Sequence, residues 1–492
     1  MKMVVSALVI SFAWSCKTVH FMRWHEMECD IMIDFIYDFF NVLWGYPMLI
    51  LLVGGGLFFA IRTGFFQIRR FPLILKKTVG EMFKKSKSSG EGLLSPFQTF
   101  STVLAGTVGS GNIVGVATAI AVGGPGALFW MWVTAVFGMM TKLAEVSLSV
   151  KYRKKGADGD FYGGPMYYIR EGLGKKWAPL AIVFSIGMVI IVLTDAAFVQ
   201  VNTAATALND SFGVPLIVTG VAISLVSIFI VKGGTKRIGN FCTKIIPAMC
   251  LLYIIACLVV ICTNIQNVGH AFGLVIKYAF RPLAATGGFA GSTVLLTMTK
   301  GGFRGIFSNE AGEGTAATVH AKAETDHPIH QGLYGALEVF IDTIIICTLT
   351  GIAILSSGDV WKSGQTGVYL TLSAFRQTFG NVGIMVLGIF IFLFAYTSYL
   401  GFFIEFKTSL RYLFRPKTVD VVKWLFFICP VVSCVFPISV IWDLADIAVG
   451  FVFIPNMIAI LLLSPQVVTM LKEYTGMNRK KMQSPPADRD KS

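Results

Sequence analysis

Charge is scarce in this 492-residue chain: Asp, Glu, Lys and Arg together make up 14% of it, and 27 acids face 41 bases. Soluble domains carry roughly 25% charged residues, so a composition that is 55% hydrophobic excludes a water-soluble globular protein. The few acids are scattered, no P-loop or nucleophile elbow is present, and nothing in the loops would build an enzyme. The nine cysteines form no CxxC pair, and Cys250, Cys257, Cys262, Cys347 and Cys429 lie inside apolar runs. That excludes a disulfide framework and leaves them as small core residues. His320, His327 and His330 straddle a helix end at Pro328, a spacing that argues against a metal site. The net charge of +14 does not mark a nucleic-acid binder, because the basic residues sit in short loops between apolar spans and at the C-terminus.

What is present is apolar sequence in long runs. The chain reads as an all-α polytopic membrane protein with about eleven spans, centred on residues 43–61, 100–123, 128–150, 178–205, 214–231, 241–262, 288–320, 333–355, 382–406, 421–441 and 445–464. Basic loops after the first, third, fifth and ninth spans place the N-terminus outside and the C-terminus in the cytoplasm of a plasma-membrane protein. Residues 1–40 form a segment apart: Lys2 and a short apolar run resemble the start of a secretory signal, and translation from Met27 or Met32 is the plainer alternative. Residues 472–492 are polar, basic and expected to be disordered.

Setting aside a first helix within 41–66, ten spans fall into two halves, 95–263 and 286–465. Five spans in each give the halves opposite topology. Each half begins with a polar, glycine-dense segment inside an apolar span: Gly106 to Asn112 in the first and Gly301 to Thr315 in the second. A glycine costs roughly 1 kcal/mol against alanine in a helix interior, so such segments favour local unwinding, and a small-residue packing face of the GxxxG type is the alternative. Unwound backbone in hydrocarbon must be buried in protein or line a cavity, and matched breaks in two halves point to a transporter site at the midplane. A channel filter built from the same glycines is the competing reading; a membrane-embedded enzyme is a remoter one.

A small zwitterion buried there would need donors for its carboxylate and acceptors for its ammonium. The backbone around Gly109, Ser110, Gly111 and Asn112 suits the carboxylate. Carbonyls near Phe307 and Ser308, the side chain of Asn309, or an acid suit the ammonium. Gln200 and Asn202 could contact substrate or hydrogen-bond between helices. Thr397 and Ser398 are adjacent hydroxyls in an apolar span and could equally back-bond to their own helix. Asp195 could meet the ammonium or a cation, or pair with Lys300 or Arg304, and Glu310 and Glu313 could close an inner gate against basic loop residues. Lys142 and Glu145 can pair or snorkel as structural residues, while Glu338 and Asp342 share a face of the eighth span and, as intramembrane acids, are functional candidates by default.

Four motifs, RTGFFQIR, GTVGSGNIVGVATAIAVGGPGA, GGPMYYI and FSNEAGEGTAATVHAKAETDHPIHQG, appear in order between Trp44 and Leu471. Through them the chain resembles the alanine or glycine:cation symporter family, also called sodium:alanine symporters. The resemblance implies a leucine-transporter-like fold of two inverted five-helix repeats preceded by one extra N-terminal helix. It also implies symport of a small neutral amino acid with Na+, with H+ left open as coupling ion, in a lipid bilayer and without a cofactor. It raises Gln200 as a substrate contact and implies a Na+ site of carbonyls from Ala105, Val108 and Phe394 with the hydroxyls of Thr397 and Ser398. Two departures bear on specificity. Glu313 and the Gly-Thr-Ala-Ala run at 314–317 replace an apolar residue followed by Gly-Ser-Ala-Pro, and Phe402 stands where the family has Trp. Alanine, glycine, serine and glutamine are therefore not separated by the sequence.

Overall fold

The computed structural model describes residues 46–82, 93–281, 294–435 and 438–483. The expectations for residues 1–40 and for the beginning of the seventh span fall outside the described residues. The chain is nearly all helical. Helix α1 (Tyr46–Arg62) precedes an interrupted pair, α2 (Pro96–Thr107) and α3 (Val114–Gly123), and then α4 (Ala127–Lys151), α5 (Lys175–Phe212), α6 (Leu216–Val231), α7 (Gly234–Thr263) and α8 (Ile265–Phe280). A second interrupted pair follows, α9 (Val294–Asn309) and α10 (Ala317–His320), with α11 (Pro328–Ser356), α12 (Val368–Phe379), α13 (Asn381–Leu413), α14 (Leu425–Ser433), α15 (Ile438–Leu462) and α16 (Ser464–Gln483). Among the described residues five single helices, α4, α5, α7, α11 and α13, are long and apolar enough to cross a membrane.

Helix α4 is the hub of one side of the bundle, packing on α1, α9 and α11; α13 is the hub of the other, packing on α2, α5 and α12. The interrupted helices lie between them. The two glycine-rich breaks turn out narrower than the composition suggests. Helix α2 starts on a capping box, in which Ser95 Oγ accepts from the Gln98 amide and Gln98 Oε1 from the Ser95 amide, and it runs through Gly106 to Thr107. The first break is confined to residues between 108 and 113, where Gly109 is extended and Ser110–Asn112 make one tight turn. The second break does not begin at Gly301. Gly301, Gly302 and Gly305 stay helical within α9 and form its packing strip on α4: a side chain at Gly301 would run into the Ala127 carbonyl, and one at Gly305 would sit 2.9 Å from Thr134 Oγ1. Packing, not unwinding, explains those three. The chain leaves the helix only at Glu310, which is left-handed (φ 54°), followed by left-handed Gly312 and Gly314.

Three further expectations change. Residues from Lys472 to Gln483 belong to α16 and are helical rather than a disordered tail, while 484–492 fall outside the described residues. The span expected at 421–441 is divided, with α14 ending at Ser433 just past Pro430. The amphipathic helices α8 and α12, in loops between spans, went unassigned because their apolar runs are too short to read as membrane-crossing.

The glycine strip gives a paired test. Gly301→Ala places a methyl against the α4 backbone and is expected to destabilise by about 1–3 kcal/mol. Gly273→Ala in α8, where nothing lies within 4 Å of the added carbon, should be neutral or stabilise by up to about 1 kcal/mol. Thermal unfolding in detergent should show a lowered Tm for Gly301→Ala and an unchanged or raised one for Gly273→Ala.

Candidate functional site

The freed backbone of the first break is taken up by side chains from the break itself, from α5 and from α13. Asn112 turns back, so that its Oδ1 accepts from the Gly109 amide at 3.0 Å, and the Ser110 amide donates to Gln200 Oε1 at 3.1 Å. Gln200 in turn donates to Asp195 at 3.2 Å. Both residues lie in a π-helical stretch of α5, Val192–Gln200. In an α-helix, residues five apart point about 140° away from each other; the wider π turn puts Asp195 and Gln200 on one face. Gly109 is required by close approach: a Cβ there would stand 3.0 Å from Ser398 Oγ and 3.2 Å from Gln200 Oε1. From α13, Ser398 Oγ donates to the Gly106 carbonyl at 2.8 Å, and Gly401 lets the two helices touch, since a Cβ on it would lie 2.8 Å from the Gly106 nitrogen.

The two breaks are joined through Asp342. This fully buried carboxylate accepts from Asn112 Nδ2 at 2.6 Å, from Ser308 Oγ at 2.9 Å and from Thr343 Oγ1 at 2.7 Å. Cys347, five residues on, is reached by the same Asn112 and Ser308 groups at 3.3 and 3.4 Å. A second π stretch, Phe340–Cys347 in α11, again makes that spacing one face. At the end of α9 the helical ladder stops. The Ala311 amide turns to Asn309 Oδ1 at 2.9 Å and the Gly312 amide to Glu145 Oε1 at 2.8 Å, in place of the carbonyls of Phe307 and Ser308. Asn309 Nδ2 anchors this end on Thr343 Oγ1 at 2.9 Å.

Below the breaks lies a buried charged layer. Lys142 meets Glu338 at 3.4 Å, and His320 bridges Glu338 at 3.0 Å and Gln331 at 2.7 Å. Glu145 accepts from Gly312 and from Asn456 Nδ2 at 2.7 Å, and Thr315 donates to Glu310. Glu310 and Glu405 each place an oxygen within 3.9 Å of where a side chain on Gly106 would begin. Lys142 and Glu145 therefore neither pair with each other nor snorkel: both are fully buried and each holds a different neighbour. Glu338 and Asp342 likewise serve different networks. The three histidines part company, with His327 capping α11 through Nδ1 and His330 meeting the Lys77 carbonyl.

Of the residues expected to bind substrate, Gly109, Ser110, Gly111, Asn112, Gln200, Phe307, Ser308 and Asn309 come together, Gly111 lying 3.5 Å by its would-be Cβ from Ser308 Cα. Asn112 and Asn309 hold the breaks with both ends of their amides. Phe402 is buried in α13. Of the expected Na+ ligands, Ala105, Val108, Phe394, Thr397 and Ser398 are all buried. Ser398 reaches Gly106 rather than Ala105 or Val108, and Thr397 back-bonds to Leu393 at 2.8 Å and Phe394 at 3.1 Å. Asp342 was legible only as an intramembrane acid four residues from Glu338, with no partner assigned, and Glu405 and Thr343 were missing from the expected set.

Glu310 and Glu313 do not meet the basic loop residues against which they were expected to close: Lys322, Lys407 and Arg411 meet Asp158 and Asp160 instead. These aspartates sit on a hairpin of β1 (Lys154–Lys155) and β2 (Phe161–Tyr162). Asp160 takes Lys407 at 3.0 Å and Lys322 at 3.8 Å; Asp158 takes Arg411 at 2.9 Å. Lys322, just beyond α10, also donates to the Phe161 carbonyl at 2.8 Å, and the neighbouring strand-like contact ties Leu94, before α2, to Lys322 and Glu324. One hairpin is thus a latch that ties α13 to the segment after α10, which is in turn joined to the start of α2. Burial pulls the Lys322 ammonium down to about 8, against the Asp160 carboxylate, which raises it.

A helical membrane bundle whose two interrupted helices meet at a buried polar centre is the build of a secondary transporter. The structure of MhsT in complex with L-phenylalanine shares this leucine-transporter-like fold, with a TM-score of 0.55 at 15% identity over 76% of this chain and 90% of that one. The chain belongs to the sodium:alanine symporter family, whose sequence model matches residues 29–489. An uncharacterised transporter of Haemophilus influenzae is 40% identical over 437 residues, 88% of this chain and 94% of that protein. The sodium/alanine symporter AgcS of Methanococcus maripaludis is 37% identical over 447 residues, 89% and 96% respectively.

Lys142→Met leaves Glu338 buried without its cation and should destabilise by about 3–5 kcal/mol, whereas Lys142→Met with Glu338→Gln should recover most of that in denaturation. At the latch, Asp158→Asn with Asp160→Asn should speed tryptic cutting at Arg153 to Lys155. Released into water Lys322 would titrate near its ordinary 10.5, so closing the latch expels a proton and is favoured as pH rises through about 8. Protection from trypsin, normalised to Lys322→Met, should therefore increase between pH of about 8 and about 9.5.

Proposed function

We propose that the chain is a Na+-coupled symporter of a small neutral amino acid, alanine or glycine, working by alternating access. The observation that carries this reading is the junction of the two breaks, where Asn112 from one and Ser308 from the other converge on the buried Asp342 carboxylate. A carboxyl buried in a dry centre holds its charge best with a cation beside it, and both a Na+ and a substrate ammonium are cations. Residues 95–263 and 286–465 form two inverted five-helix repeats, preceded by α1 and making eleven spans with the N-terminus outside. The matched interruptions and the alternation of basic loops support that arrangement.

The substrate carboxylate binds the amides around Gly109, Ser110 and Gly111. There it competes with Gln200 Oε1 for the Ser110 N–H, and a charged acceptor makes the stronger bond by roughly twofold. The ammonium faces the carbonyl end of α9 at Phe307 and Ser308, with Phe402 setting the pocket volume. Na+ binds carbonyls of Ala105, Val108 and Phe394 with the hydroxyls of Thr397 and Ser398. The contact of Ser398 with the end of α2 and the proximity of Thr397 to the Phe394 carbonyl support this placement. Asp195 tunes Gln200, and Glu310 and Glu313 line the inner path. An ion about 5 Å from the substrate carboxylate, at an effective dielectric near 20, attracts it by about 3 kcal/mol before desolvation. Half of that couples the two bindings by about tenfold. An inside-negative potential adds about 2.3 kcal/mol per Na+ per 100 mV, which drives accumulation of a neutral zwitterion.

Uptake of labelled alanine and glycine into proteoliposomes, under an inward Na+ gradient, a proton gradient or neither, tests the proposal. Accumulation is expected with Na+ alone and should grow with inside-negative voltage, while Ser398→Ala should raise the half-saturating Na+ concentration by about tenfold. Accumulation with the proton gradient alone would transfer coupling to H+. Uptake that ignores both gradients would sink the symport reading.

A further inference from the structure

A cleft that shares no residue with the polar centre opens where α1 ends. It is bounded by Arg62, Phe66, Arg69 and Arg70 on one wall and by Leu471 and Lys472 of α16 on the other. Its four cations carry no acidic partner: none of them enters an ion pair among the described residues, and no acid lines the cleft. Arg62 instead donates to Ser464 Oγ at 2.9 Å and lies over the Phe58 ring, and Arg69 leans on the Gly64 carbonyl at 3.4 Å. Nearby, Glu81 is taken by Lys77 and His330, and Glu473 bears on His327. Four like charges facing one space without a counterion repel one another, and an anion between them relieves that.

The walls say which kind of anion. The cleft holds about 200 Å³, below the roughly 300–1,000 Å³ of cofactor and drug-sized sites but ample for a phosphodiester. Its floor is apolar, with Phe66 and Leu471 both buried, and beside the cations Phe58, Ile61, Phe65 and Ile68 are exposed. Cations above a belt of outward-facing apolar side chains match a headgroup above its acyl chains. Free phosphate would have no use for that belt. Helix α16 is bent 61° from the segment before it, so a headgroup held between Arg69, Arg70 and Lys472 would staple this turned helix to the end of α1.

We propose that this cleft binds the headgroup of an anionic phospholipid from the leaflet that the basic loops mark as cytoplasmic. The inference stands apart from the transport reading, whatever solute is carried. The test is thermal unfolding of the purified full chain in neutral detergent with dioleoylphosphatidylglycerol, with dioleoylphosphatidylcholine, or with inorganic phosphate. Phosphatidylglycerol should raise the apparent Tm by about 2–4 °C beyond phosphatidylcholine. That increment should vanish in the triple variant Arg69→Gln, Arg70→Gln, Lys472→Gln and persist when the three are exchanged as Arg69→Lys, Arg70→Lys, Lys472→Arg. If the triple variant does not fold, Lys472→Gln alone, an exposed position, should reduce the increment. Equal stabilisation by both lipids, or an increment that survives loss of the cations, would overturn the proposal. So would reproduction of the increment by inorganic phosphate, which would make the site one for the free ion.

Discussion

Two helices that stop halfway across an apolar interior expose backbone groups that water cannot reach, and each unsatisfied group costs several kcal/mol there. Most of the buried polar side chains at the centre of this protein answer that constraint. Asn112 closes the first break on itself, Gln200 takes the Ser110 amide, Asn309 takes the Ala311 amide, and Glu145 takes that of Gly312. The breaks are therefore fixed features with dedicated partners on α5, α11 and α4. A helix interrupted in this way keeps polar groups at the midplane without exposing them to lipid.

The same groups make the centre responsive. Gln200 Oε1 and Asn112 Oδ1 are neutral acceptors on amides that a carboxylate would hold more strongly. Asp342 receives neutral donors from both breaks, so a cation placed beside it would act on the two interrupted helices at once. Away from the centre, Asp158 and Asp160 tie α13 to Lys322 just beyond α10, and Lys322 is joined to Leu94 before α2. Polar centre and latch thus bear on the same helices.

Glycine does two different jobs in the two glycine-dense segments. Gly109 and Gly401 are needed because side chains from another helix, or its backbone, come within about 3 Å. Gly301 and Gly305 are needed because α4 lies against them, and with Gly302 they leave the helix intact. Composition treats these alike. What separates them is whether left-handed residues follow, as Glu310, Gly312 and Gly314 do, and whether the neighbour is a packed helix or a polar side chain.

Low charge, apolar run lengths and basic loops were enough to place this chain in a membrane, to outline the five long helices α4, α5, α7, α11 and α13, and to pair the polar segments of spans two and seven. Those features act locally: burial in lipid requires long apolar runs, and loop charge is set residue by residue. The partners were decided by tertiary structure. Two π stretches put Asp195 with Gln200 and Asp342 with Cys347, pairs that the 3.6-residue period turns apart, so no reading of helical faces could have joined them. Lys142 passed over Glu145, three residues away, for Glu338 on another helix, because in an interior without water a charge is held by whichever countercharge packing brings to it.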